Sequence, residues 1–217
     1  MAYHGTVTVG GTPDVRELAD LIISKVAVGP MDNNAYLLRC RHTDEQLLID
    51  AANDASTLLT LIGDTPLQTV VTTHRHGDHW QALAEVVSQT GAATVAGYAD
   101  ADHLPVDVNR RVVDGERVSV GRCELEVIHL VGHTPGSIAL LYDDPEGNPH
   151  LFSGDCLFPG GVGKTWSPQD FESLIDDVSR KVFDRLPDET WVYPGHGNDT
   201  TLGAERPHLT EWRARGW

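Results

Sequence analysis

Apolar positions in this 217-residue chain come mostly in short runs, closed by glycine, proline and small polar residues. Runs at 22–28, 35–40 and 46–49 read as strands, with Gly29-Pro30-Met31-Asp32-Asn33 turning the chain between the first two. Residues 69–73 form a β-branched strand, and further strands are predicted at 93–96, 112–113, 117–120, 124–130, 138–142, 150–152 and 191–193. Helical spacing marks 54–62, where Leu58, Leu59, Leu61 and Ile62 form a stripe. It also marks a stretch from Asp78 or His79 to Gln89, with Leu83, Val86 and Val87 inward, and residues 168–183. Residues 1–20 read as a loosely ordered lead-in. The strands arrive in two batches, each accompanied by helices. That order predicts an α/β fold of four layers, αββα, with two sheets face to face in a single domain spanning 1–217.

Composition narrows the picture only slightly. With 40% hydrophobic residues, the chain can bury one sizeable core. The net charge of -16, from 16 basic and 32 acidic side chains, disfavours a nucleic-acid partner, because phosphate binding needs clustered Lys and Arg. No apolar stretch of about twenty residues reads as a membrane span, and no secretory signal opens the chain. Cys40, Cys123 and Cys156 are odd in number and far apart, so a reduced, cytoplasmic setting without a disulfide framework is expected.

The chemistry concentrates at the exit of the strand at 69–73. In Thr73-His74-Arg75-His76-Gly77-Asp78-His79-Trp80, three histidines and an aspartate fall within six positions. His74 and His76 share a face if the backbone stays extended, and Gly77 allows a sharp turn after them. Asp78 alone could be a helix N-cap, but capping leaves the three histidines unexplained. Three more predicted strand ends carry metal-competent residues: Gly132-His133-Thr134-Pro135-Gly136, Gly154-Asp155 and Pro194-Gly195-His196. Of the other histidines, His129 sits on a strand and reads as structural. His4, His42, His103, His150 and His208 read as surface residues. Asp50, at a strand end, reads equally as a turn residue or as a carboxylate that orients a ligand histidine. Asn33 and Asn34 read as turn formers, and Cys156 as packing.

In this order, the motifs His-x-His-x-Asp-His, Gly-His-Thr-Pro-Gly, Gly-Asp and Pro-Gly-His resemble the metallo-β-lactamase superfamily over residues 22–200, and within it the glyoxalase II (hydroxyacylglutathione hydrolase) branch. The resemblance implies the metallo-β-lactamase sandwich. By motif, His74, His76 and His133 would hold one metal, Asp78, His79 and His196 the other, and Asp155 would bridge both. Two Zn²⁺ suit such ligands, with Fe²⁺ or Mn²⁺ as alternatives. Asp78 and Asp155 would then be catalytic, serving a metal-bridging hydroxide that attacks a carbonyl. Antibiotic-cleaving members commonly place a Cys ligand at the third motif and lack the His after the Asp. This chain has Asp155 and His79 instead.

In Gly161-Val162-Gly163-Lys164-Thr165-Trp166, Lys164 and Trp166 match the branch's substrate-binding loop, as a cation for a carboxylate and a stacking surface. The chain ends soon after His196, so a short form without that branch's C-terminal helical domain is expected. The expected substrate is a small molecule, a 2-hydroxyacyl thioester of a low-molecular-weight thiol. A mononuclear iron persulfide dioxygenase-like enzyme and a lactonase of the same fold are the alternatives.

Overall fold

The computed structural model describes residues 3–216. The first sheet is built in chain order from β1 (Asp14–Glu17), β2 (Leu21–Val28), β3 (Asn33–Cys40), β4 (Gln46–Ile49), β5 (Leu67–Thr72), β6 (Ala93–Gly97) and β7 (Arg110–Val112). It is antiparallel from β1 to β4 and parallel from β4 to β7. The second sheet contains β8 (Arg117–Val120), β9 (Cys123–His129), β10 (Ile138–Tyr142) and β11 (His150–Gly154). A small ribbon of β12 (Leu157–Phe158) and β13 (Gly161–Val162) follows. The second sheet is completed by β14 (Trp191–Pro194), parallel to β11, and β15 (Thr200–Thr201).

The period-2 alternation of side chains divides each strand between two cores. Leu47 and Ile49 of β4 face the second sheet, where they meet Val127, Leu140 and Phe152. Leu48, between them, faces outward against helices α1 (Ala55–Ile62) and α2 (Leu83–Thr90). In the second sheet Leu140 points inward, while Ala139 and Leu141 pack beneath α3 (Pro168–Val178). Two sheets with helices on both outer faces make the four-layer αββα arrangement that the element order predicts.

Four details differ from the sequence reading. The lead-in is not loose where described: β1 pairs with β2, and the Tyr3 hydroxyl donates to Asp199 at 2.7 Å. With Val15 as its one apolar strand residue, this edge carries almost no hydrophobic signal. The helix expected from Asp78 or His79 starts late. Gly77–His79 is a single tight turn, and α2 begins at Leu83. The amides of Gln81 and Ala82 donate to the Ala52 and Ala51 carbonyls instead of to a helical turn. The helix predicted at 168–183 is α-helical only to Val178 and widens at Ser179–Phe183, where the Asp184 amide reaches the Ser179 carbonyl at 2.8 Å. Finally, His150 is not a surface residue. It is buried between Tyr142 and Tyr193 and bonds the Tyr193 hydroxyl at 2.9 Å. The C-terminal segment adds two short helices, α4 (Leu202–Glu205) and α5 (Leu209–Arg215), and α5 buries Trp212 against the second helical layer.

Candidate metal centre

Four loops converge at one edge of the sandwich. The loop after β5 brings His74, His76, Asp78 and His79, and the β9–β10 loop brings His133. Asp155 follows β11 and His196 follows β14. His74 Nε2 lies 3.1 Å from His76 Nδ1 and 3.2 Å from His133 Nε2. On the other side, His196 Nε2 lies 3.2 Å from both His79 Nε2 and Asp78 Oδ2. Asp155 stands between the two groups, with Oδ1 at 3.3 Å from His79 Nε2 and Oδ2 at 3.7 Å from His133 Nε2. The structure thus brings all seven motif residues together, as three overlapping trios whose ligand atoms lie within 4.8 Å of one another.

The outward contacts of the histidines fix which nitrogen faces the centre. His133 Nδ1 is 2.7 Å from the Lys164 carbonyl, His196 Nδ1 is 3.0 Å from the Met31 carbonyl, and His79 Nδ1 is 2.8 Å from Asp50 Oδ2. Each Nδ1 therefore donates outward, which aims Nε2 inward, as a lone pair wherever the ring is neutral. Around His74, whose Nε2 faces His76 and His133, lone pairs facing lone pairs at about 3 Å cannot satisfy one another. Asp155 Oδ1 is buried without a hydrogen-bond donor. This donor set suits divalent cations and leaves little else to satisfy its buried acceptors.

The electrostatics divide the cluster. Burial, reinforced by neighbouring histidines, holds His74 well below the usual histidine range. Burial also lowers His76 and His133, so all three are neutral. Burial pushes His79 and His196 the same way, but carboxylates outweigh it. Asp155 and Asp50 hold His79 well above the usual value, and Asp155 and Asp78 raise His196 to about 10. The His196 contact in turn holds Asp78 low, and His79 and His196 hold Asp155 low against its burial.

Four supporting residues escaped the sequence reading or were left open by it. Asp50 is buried and adopts a left-handed backbone, φ 57°. It accepts the Thr73 amide at 2.7 Å and the Thr73 hydroxyl at 2.8 Å while orienting His79, so it is the orienting carboxylate and not a plain turn residue. Asp100 is buried as well. It accepts the Arg75 and Gly136 amides, each at 3.0 Å, and the Thr134 hydroxyl, tying the His74–His79 loop to the His133 loop. Asn33 does more than turn the chain: its amide donates to Asp78 Oδ2 at 2.9 Å. Its neighbour Asn34 clamps the His196 loop through the Pro194 and Gly197 carbonyls, both at 2.9 Å. A side chain at position 195 would place its Cβ 2.2 Å from Asp155 Oδ1, so glycine there makes room for the carboxylate. His129 braces the His133 loop through the Pro135 carbonyl at 2.8 Å.

A cavity of about 340 Å³ opens over the centre, lined by His133, Asp155, Phe158, the glycine loop to Lys164, and His196. Trp166 is 66% exposed, with its ring 6.4 Å from that of His76. Lys164 Nζ lies 4.5 Å from the Trp166 ring centre. Cys156 points away into the apolar layer beneath α3.

The family model of the metallo-beta-lactamase superfamily matches residues 28–196. The chain belongs to this superfamily. Among metallo-beta-lactamase relatives, a hydroxyacylglutathione hydrolase of Polaromonas sp. is 35% identical over 179 residues, covering 81% of this chain and 66% of the relative. The chain thus spans about two thirds of the hydroxyacylglutathione hydrolases it matches. The crystal structure of ETHE1 from Myxococcus xanthus superposes with a TM-score of 0.77 at 29% identity, covering 88% of this chain and 84% of that one. TTHA1623 in a di-iron-bound form superposes with a TM-score of 0.70 at 32% identity, covering 84% of this chain and 96% of that one. No helix among the described residues is long and apolar enough to cross a membrane.

Proposed function

We propose that this protein is a dinuclear metal-dependent hydrolase acting on a 2-hydroxyacyl thioester of a low-molecular-weight thiol. The observation that carries the proposal is Asp155, set between a trio of neutral histidines and a trio containing Asp78. His74, His76 and His133 would hold one cation, Asp78, His79 and His196 the second, and Asp155 both. When bound, such a pair supplies an activated water near neutral pH and positive charge for a carbonyl oxygen. Zinc suits the donors, and the di-iron form of TTHA1623 keeps iron as the alternative.

The protein's own residues narrow the substrate. Asp78 and Asp155 stay ionised beside His196 and His79, so both keep acceptor oxygens at the reacting centre. The cavity lining holds no carboxylic acid poised to protonate a leaving group. Without such an acid a leaving group that departs as an anion is favoured, and a thiol with a pKa of about 8.5 does so far more readily than an amine or an alcohol. Lys164 at the mouth fits a carboxylate on the thiol half, and exposed Trp166 offers a face for its chain. The likeness to hydroxyacylglutathione hydrolases supports the same reading. Metal content measured alongside turnover of S-lactoylglutathione tests it. Two metals per chain with rapid hydrolysis is the expected result; two metals with no turnover of any thioester in a panel would overturn it.

The likeness to ETHE1 favours one second reading, a persulfide dioxygenase-like enzyme using a single iron on His74, His133 and Asp155. One iron per chain and oxygen consumption on a persulfide would establish that reading in place of the first.

A further inference from the structure

At the opposite end of β3 from the metal centre, the two sheets meet through a pair of cysteines. Cys40 closes β3 of the first sheet, and Cys123 opens β9 of the second. Both are buried in the core between the sheets. The β8–β9 turn folds directly over Cys40. The Arg122 amide donates to Cys40 Sγ at 3.4 Å, and a Cβ at Gly121, φ 56°, would sit 2.7 Å from that sulfur. Cys123 Sγ reaches the Asp20 carbonyl at 3.6 Å, and Cys123 follows directly on Arg122, whose amide meets the Cys40 sulfur. Cys123, with Arg117, Arg122 and Tyr142, lines an open groove of about 780 Å³, which brings a small solute as far as Cys123, beside the buried Cys40.

We propose that Cys40 and Cys123 form a reversible dithiol–disulfide pair, oxidised by a hydroperoxide, that covalently ties the two sheets of the sandwich together. The surroundings divide the roles. Although burial opposes ionisation, the Arg122 amide, the Thr43 hydroxyl and the amides of His42 and Thr43 converge on Cys40 and bring its thiol down to about 7. Burial and the facing Cys40 sulfur push Cys123 up to about 11. Cys40 is therefore the nucleophile and Cys123 the resolving thiol. The Cys40 thiolate attacks one peroxide oxygen, the O–O bond breaks, and hydroxide leaves to take a proton from solvent. The resulting sulfenic acid is attacked by the Cys123 sulfur. The S–S bond forms as the S–O bond breaks, and the departing hydroxyl leaves as water with the Cys123 proton. Two thiols lose two electrons and two protons in all, and one peroxide becomes two waters. Cys156 takes no part: it is buried beneath α3, and burial pushes its thiol well up.

Seven strand steps of about 3.3 Å place this pair roughly 23 Å from Asn33 at the metal centre. The chemistry is thus independent of what the centre binds or turns over. The test uses the full-length protein, titrated with hydrogen peroxide at neutral pH, followed by native thiol counting and peptide mapping. The expected result is loss of two of the three thiols and a Cys40–Cys123 cross-linked peptide that dithiothreitol releases, with Cys156 reacting at least about tenfold more slowly. In Cys123→Ser, a Cys40 sulfenic acid should persist long enough for dimedone to label it. If that variant does not fold, the wild-type map decides alone. Oxidation of Cys123 by itself, disulfides only between chains, Cys156 reacting as fast as the pair, or no thiol loss would each overturn the proposal.

Discussion

The two halves of the metal centre are built from similar side chains by different means. The trio of His74, His76 and His133 is neutral, held low by burial, and His133 is fixed by a backbone carbonyl. The trio of Asp78, His79 and His196 is embedded in carboxylates and supported by side chains: Asp50 behind His79 and Asn33 behind Asp78. In the first half, protons are kept off by removing water. In the second, carboxylates hold protons on the histidines until a cation displaces them. Metal affinity in the first half should therefore depend on packing, and in the second on named hydrogen bonds.

Removing the shared residue breaks both halves at once. Asp155→Ala should lower kcat by about a thousandfold or more and leave less than one metal per chain, measured by steady-state kinetics and elemental analysis. Chelation of the wild type should mimic this loss, and added metal should reverse it. Gly195→Ala comes next. Its Cβ would collide with Asp155 Oδ1 and lie 2.7 Å from His79 Cε1, so a loss of about a hundredfold in activity is expected with folding retained by circular dichroism. A variant with wild-type kinetics would show that the loop yields and that the close approach is unimportant.

The halves separate with smaller changes. Asn33→Ala removes the donor to Asp78 Oδ2 and should weaken the second metal by about 10- to 100-fold, with the first unchanged, in a competitive metal titration. Equal weakening of both metals would show that the two halves do not differ in this way. Trp166→Ala removes no ligand of either half, although its ring stands 6.4 Å from that of His76. It should raise KM a few-fold, about 1 kcal/mol, while kcat stays within twofold.

Much of the centre is legible in the chain because its ligands lie at strand ends, and strand ends show in the hydrophobic pattern. His74 to His79 need only a local turn to cluster, and His133, Asp155 and His196 each follow an apolar run. The supporting residues are not legible in the same way. Asp50 meets Thr73 across 23 positions, Asn33 meets Asp78 across 45, and Asp100 meets Thr134 across 34. Nothing local marks these pairings: Asn33 looks like an ordinary turn residue, and Asp50 reads equally as a turn residue or as an orienting carboxylate. The late start of α2 was hidden for a related reason: its predicted first turn spends amides on the Ala51 and Ala52 carbonyls, a tertiary choice that no helical periodicity records.

The convergence of loops from both sheets also has a kinetic consequence. The first four ligands are adjacent in the chain, but the remaining three arrive from the second sheet and require closure of loops of more than fifty residues. An intact centre can then form only after both halves of the chain have docked. Metal added to a refolding mixture should act late, slowing escape from the finished state more than hastening the search for it. Bound cations would work as a latch across the seam, added to the apolar core that already joins the sheets.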